Sequence, residues 1–187
     1  MEQILFGAPV AEQLDEISKN VFQKHSKDNE KPHLTAITVG DNPASLLYVT
    51  RKQEKALDLG VEFNWLKLDS NTSQETLEDV ITTESDSTDG LIIQLPLPIH
   101  LNPENAINCI PHEIDVDGLT SHNLGSLFSD TYNLIPATSL AVLELLNFYN
   151  IKTEDKNVVI AGRSRLVSAP LAKILSSKSY NANVSVI

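Results

Sequence analysis

The sequence predicts an α/β protein in two domains, with a mostly parallel sheet in the first. Three observations carry this. Residues 89–94 and 157–162 are short, almost wholly apolar runs, the character of strands buried on both faces as in a parallel sheet. Segments of helical periodicity alternate with strand-like segments along the chain. The length, 187 residues, corresponds to about one to one and a half domains and is enough to bury a sizeable core.

Taken in order, residues 9–24 place Val10, Leu14, Ile17 and Val21 at helical spacing, with acids and amides between them, which predicts an amphipathic helix. Residues 25–32 are charged and polar, a loop. Residues 33–39 are β-branched and apolar and end at Gly40, a strand. A Gly-Asp-Asn-Pro turn follows. Asn42 can cap a helix there, and Pro43 suits its first position. That helix stops at Gly60. Residues 61–68 alternate apolar with polar, a second strand. Ser73 opens a weak capping box with Thr76, and Leu77, Val80 and Ile81 give helical spacing before a polar loop at 82–88. Strand 89–94 runs into Leu95-Pro96-Leu97-Pro98, which can continue neither strand nor helix. Asn102 and Pro103 open a short helix to Ile110. Residues 111–119 form a loop carrying Asp115 and Asp117, and 122–125 a further turn. Thr138 is placed to cap a helix through Leu146. Strand 157–162 ends in a glycine turn, a helix with Leu171, Ile174 and Leu175 follows, and 184–187 begins another strand. The predicted division is a catalytic domain at 1–134, a linking helix at 135–150 and a second domain at 151–187.

Hydrophobic residues make up 41%, ordinary for a globular protein. The net charge of −11 argues against nucleic acid or an anionic membrane as default partners. A single cysteine, Cys109, permits no intrachain disulfide. The N-terminus lacks the apolar core of a signal peptide, and no stretch is long and apolar enough to span a bilayer, so a cytoplasmic protein is expected. The five histidines (25, 33, 100, 112 and 122) show no metal spacing. Ser45 and Ser164 have no adjacent base, which argues against a serine nucleophile.

Several residues stand out chemically. Tyr48 and Lys52 are spaced i, i+4 and share a helix face. A phenol beside an amine suits a flat aromatic substrate that must exchange a proton, although such a pair alone is more often a solvated helix face. Gln94 lies at the C-terminal end of a strand, the usual ligand side of open α/β sheets. Its amide can orient a neighbouring amine or simply cap a turn. Asp117, before Gly118, can accept two hydrogen bonds from a ring amide or serve as an Asx-turn residue; Asp115 is read as a turn residue. Gly162-Arg163-Ser164 follows a strand and opens a helix, where backbone N–H groups meet phosphate, but the generic Gly-x-Gly-x-x-Gly is absent.

Together, Ala44-Ser45-x-x-Tyr48-Val49-x-x-Lys52, Gln94-Leu95-Pro96-Leu97-Pro98, Asp115-Val116-Asp117-Gly118 and Gly162-Arg163-Ser164-x-x-Val167-x-x-Pro170 resemble, in order and spacing, the bifunctional methylenetetrahydrofolate dehydrogenase/methenyltetrahydrofolate cyclohydrolase family. The resemblance covers essentially the whole chain. It implies a folate-binding α/β domain followed by a partial Rossmann-like NADP domain, in a cytoplasmic homodimer of one-carbon metabolism. It implies Lys52 as the key catalytic residue, Gln94 supporting it and Asp117 holding the pterin. Tyr48, Leu97 and Pro98 would contact tetrahydrofolate derivatives, and Gly162, Arg163 and Ser164 the NADP cofactor. The rivals are a truncated, non-catalytic folate-binding or dimerising remnant of the family, and another two-domain dehydrogenase of the amino-acid or shikimate type.

The chain departs from the family's pattern in three places. Ser168 replaces the second glycine of Gly-Arg-Ser-x-x-Val-Gly, which makes close phosphate approach harder. Pro136-Ala137-Thr138-Ser139-Leu140-Ala141 replaces Pro-Cys-Thr-Pro-x-Gly. The chain also ends at the strand begun at Val184. The expectation is therefore an incomplete nucleotide half, with weak NADP binding and faster amide exchange from Asn157 onward than in 34–39 and 90–94.

Overall fold

The structure is a computed structural model that describes residues 3–25 and 31–187. Residues 26–30 of the expected 25–32 loop lie outside the described residues. The elements run α1 (Ala8–His25), β1 (His33–Val39), α2 (Pro43–Asp58), β2 (Glu62–Leu68), α3 (Gln74–Ser85), β3 (Gly90–Ile93), α4 (Pro103–Asn108), α5 (Ser121–Phe128), α6 (Ala137–Phe148), β4 (Asn157–Ile160), α7 (Ser168–Leu175) and β5 (Asn183–Val186). The chain divides into two compact units, one of Leu14–Val116 and one of Asp117–Ile187 with the stretch up to Gln13.

The first unit is built on a parallel sheet of order β2-β1-β3. β1 is central and β3 is buried at every position, so the all-apolar run at 90–93 does have both faces covered. Val49 of α2 packs with Ala36 and Ile92, and Leu34, Phe63 and Trp65 close round them. Gly90 is required by packing: a Cβ there would come within 2.7 Å of Val116 Cγ1 and 3.2 Å of Leu34 Cδ1. Caps begin the helices as the sequence predicts. Asn42 accepts from the Ala44 and Ser45 N–H groups, Ser73 from Thr76, and Asn102 from Glu104 and Asn105. The polar stretch 82–88 differs from expectation, because α3 continues to Ser85. There Thr82, Thr83 and Ser85 return their hydroxyls to carbonyls one turn back, which keeps polar residues helical.

The second unit holds a parallel pair, β4-β5. Its core is Leu127, Leu143, Leu171, Ile174 and Leu175, against which Val158, Ile160 and Val184 pack. Three expectations are corrected here. Residues 122–125 are not a turn but part of α5, capped by Thr120 and anchored by buried Leu127. Thr138 is not a cap: α6 starts at Ala137, after Pro136, with no side-chain cap bond. Strand 157–160 is not buried on both faces, since Val159 is 61% exposed. Its inward residues meet the helical core while its outward ones face solvent.

Candidate active site

Helix α2 carries the first cluster. Tyr48, Arg51, Lys52 and Lys55 fall at i, i+3, i+4 and i+7, one stripe of the helix. All four line a cavity of about 550 Å³ in the first unit, whose other wall is apolar sheet surface from Leu34, Gly90, Ile92 and Val116. The spacing argument for Tyr48 and Lys52 is thus realised: both face a single hollow. Tyr48 is 60% exposed, so a ring face is open to stack on a ligand. Lys55 is held by the Asp15 carboxylate, whose hydrogen bond raises the ammonium above its ordinary value against a smaller lowering by burial. Arg51 is exposed, and among the described residues it has no ion pair.

Gln94 follows β3 directly, and its backbone N–H continues the ladder to the Ile37 carbonyl at 2.9 Å. Its side-chain N–H donates to the Leu95 carbonyl at 2.9 Å. The same carbonyl accepts from the Ser45 hydroxyl at 3.4 Å, which ties the 94–98 segment to the first turn of the helix bearing Tyr48 and Lys52. The Gln94 side-chain oxygen is buried and has no partner. An orphan buried acceptor costs about 1–3 kcal/mol unless a donor arrives, so it is a group waiting for an N–H. Gln94, Leu97 and Pro98 do not line the Tyr48/Lys52 cavity itself; Pro98 instead approaches the Gly40 turn.

Asp117 opens the second unit and follows cavity-lining Val116 in the chain. Gly118 has φ +70°, and a Cβ there would stand 2.5 Å from Leu134 Cδ2 and 3.3 Å from Pro136 backbone, so only glycine fits. Asp115, read from sequence as a turn residue, is 1% exposed and bridges Leu91 beside β3. Sequence reasoning missed that burial; the parallel bridge sets it, and nothing local announces it. His33 and Asp89 also border the cavity and were not foreseen, since they are joined across strands by the His33 N–H to the Asp89 carboxylate at 2.8 Å. Among the described residues no cluster of His, Cys, Asp or Glu could hold a metal ion.

In the second unit, Gly162 turns the chain after β4 with φ +130°. Arg163 and Ser164 are exposed, and the Ser164 hydroxyl accepts from the Leu166 N–H at 3.2 Å. This strand, glycine turn and helix N-terminus form the arrangement that receives phosphate groups.

The catalytic-domain description of the tetrahydrofolate dehydrogenase/cyclohydrolase family matches residues 5–117, and its NAD(P)-binding-domain description matches 136–187. The chain belongs to this family. It is 37% identical over 185 residues to the bifunctional protein FolD of Salinibacter ruber, covering 98% of this chain and 62% of that protein. To the FolD protein of Streptococcus equi subsp. equi it is 36% identical over 189 residues, covering all of this chain and 66% of that one. The chain therefore spans less than two thirds of the length of these curated relatives. Among solved structures, the Campylobacter jejuni bifunctional methylenetetrahydrofolate dehydrogenase/cyclohydrolase superposes with TM-score 0.94 at 34% identity, over 98% of this chain and 66% of that one. The Trypanosoma brucei dehydrogenase-cyclohydrolase, solved with NADP and an inhibitor, gives 0.92 at 28% identity, over 100% of this chain and 65% of that one. Family membership sets aside the amino-acid and shikimate-type alternatives. No described helix is long and apolar enough to cross a membrane.

Proposed function

We propose that this protein acts in one-carbon metabolism, oxidising 5,10-methylenetetrahydrofolate with NADP and hydrolysing the methenyl product to 10-formyltetrahydrofolate. The observation that carries the reading is the pairing of a Tyr48/Lys52 cavity with the orphan Gln94 oxygen on the segment tied to the same helix. NADP would accept a hydride from the one-carbon bridge. The chain's own groups do the rest. Tyr48 offers its ring to the planar part of the folate. Lys52, on the same face, relays the proton as water adds to the methenyl carbon. The Gln94 oxygen accepts from the Lys52 ammonium and aims it. Asp117 takes the N–H pair of the pterin, and Leu97 and Pro98 form an apolar contact.

The residues after β4 fit a dinucleotide. Gly162 is open on its outer side except for Ser168, and Arg163 is an exposed cation at the turn. Gly162, Arg163 and Ser164 would hold its phosphates, the arginine favouring a 2′-phosphate. In this reading residues 1–134 serve the folate and 151–187 the nucleotide, with 135–150 linking them, in a cytoplasmic homodimer. The non-catalytic remnant is the less favoured alternative, since the matched stretches include both the catalytic and the nucleotide-binding descriptions.

The test is Lys52→Met. Hydrolysis of methenyltetrahydrofolate should fall about 10²–10⁴-fold, the usual contribution of a general acid–base group, with an unchanged circular dichroism spectrum. A variant keeping more than about a tenth of the rate would remove Lys52 from this role.

A further inference from the structure

The fold brings two of the residues that depart from the family's pattern to a single turn. Ser139, in the first turn of α6, is fully buried, and its hydroxyl donates to the Val167 carbonyl at 3.1 Å. The same carbonyl accepts the Leu171 N–H at 3.0 Å, so both its lone pairs are used and the start of α7 is pinned. Val167 itself has φ −128° and ψ −63° and supplies no side-chain cap. Ser168, the next residue, begins α7 and is only 5% exposed. Among the described residues its hydroxyl has no hydrogen-bond partner. Its oxygen lies 3.4 Å from where a Cβ on Gly162 would stand, so it points at the glycine turn.

Some of the backbone donors around that turn are occupied. Gly162 N–H donates to the Ile187 carbonyl at 2.8 Å, and Ala169 N–H to the Ser164 carbonyl at 3.0 Å. Leu166 N–H is bonded to the Ser164 hydroxyl, and Pro170 has no N–H. An anion at this helix start would feel the positive end of the helix, and among the described residues the N–H groups of Arg163, Ser164, Val167 and Ser168 make no hydrogen bond. The Ser168 hydroxyl is a donor of the right kind, on a residue only 5% exposed and aimed at the glycine turn.

We propose that Ser168 donates its hydroxyl directly to the pyrophosphate of the dinucleotide, and that Ser139, acting through the Val167 carbonyl, is the positioning residue that aims it. The inference rests on the nucleotide reading above. It inverts the steric expectation for Ser168: what the residue loses in closeness of backbone approach it regains as a charge-assisted hydrogen bond.

The experiment is calorimetric titration of the purified protein with NADP and with adenosine 2′-monophosphate, which has the adenine and 2′-phosphate but no pyrophosphate. Ser168→Ala and Ser168→Gly should each weaken NADP binding about tenfold or more, as for loss of a hydrogen bond to a charged group, and leave the monophosphate unchanged. Ser139→Ala should weaken NADP binding by a smaller factor, and should add nothing once Ser168 is alanine. Wild-type protein that binds NADP while Ser168→Gly binds it equally or more tightly would overturn the donor role and leave the nucleotide reading standing. A Ser139→Ala loss that simply adds to that of Ser168→Ala would overturn the positioning role. Wild-type protein that binds no NADP would overturn the nucleotide reading, and this inference with it.

Discussion

β1 and β3 of the first unit and β4 and β5 of the second are both parallel neighbours with apolar sequences, but their surroundings differ. In the first, β3 is buried at all its positions and β1 at five of seven, because helices and loops cover both faces. In the second, Val158, Ile160 and Val184 turn inward to the helical core, while Val159 and Val186 are 61% and 44% exposed. The helix starts differ as well. α2, α3 and α4 each have a side-chain cap, whereas in the second unit α5 is capped by Thr120 but α6 and α7 follow Pro136 and Val167 and have no side-chain cap. An apolar run therefore announces a strand without saying how many of its faces will be covered. Stability in the first unit rests on the sheet, and in the second on Leu143, Ile174 and Leu175 of its helices.

Core truncation should break this contrast most sharply if it is wrong. Ile37→Ala, at a position with no exposure, should cost about 2–5 kcal/mol. Val159→Ala should stay within about 0.5 kcal/mol. Denaturant unfolding of each variant measures the difference, and amide exchange should be slow at 34–39 and 90–93 and faster at 157–160 and 183–186. Equal losses, or equal protection of the two sheets, would show that both are supported alike.

A smaller effect separates two glycines of the second unit. Gly118→Ala forces a side chain into a left-handed conformation and against Leu134, and should cost about 1–3 kcal/mol. Gly125→Ala, inside α5 with nothing within 4 Å, should instead stabilise by roughly 0.5–1 kcal/mol. Melting temperatures that move the same way for both would refute this assignment of strain.

The smallest effect is alkaline. Burial, then the charges of Tyr132 and Glu144, raises the Tyr180 phenol above its ordinary 10.0, against a lowering by Asn147. In the first unit burial, then the charge of Glu78, raises the Cys109 thiol above 9.0. In each case the folded state keeps its proton to higher pH than the unfolded state does. The contribution is thus present below the ordinary value and is lost as pH rises through the folded one. Tyr180→Phe should flatten the decline in stability above pH 10.0, and Cys109→Ser the part that begins above pH 9.0. A pH profile unchanged in both variants would assign the alkaline loss to other groups.

Much of this was legible in the residues alone. Asn42 before Pro43, Ser73 with Thr76, and Asn102 before Pro103 are local signals, because a cap bonds N–H groups only two or three residues away. The strand 33–39 and the Tyr48/Lys52 face were readable for the same reason: strand and helix periods are properties of a few consecutive residues. The sequence by itself therefore determined the order of the elements other than α5, the parallel layer architecture and the helix face that bears the candidate chemistry. It missed α5, whose helical state depends on burying Leu127 among α6 and α7, and it read 157–160 as doubly buried. Only the tertiary structure decided that Asp115 is sealed beside Leu91, that the Gln94 oxygen lacks a donor, and that Ser139 reaches Val167 across 28 residues of chain. Each of these depends on which groups remain to satisfy a buried polar atom once the chain has packed, and that balance is struck between segments far apart in sequence.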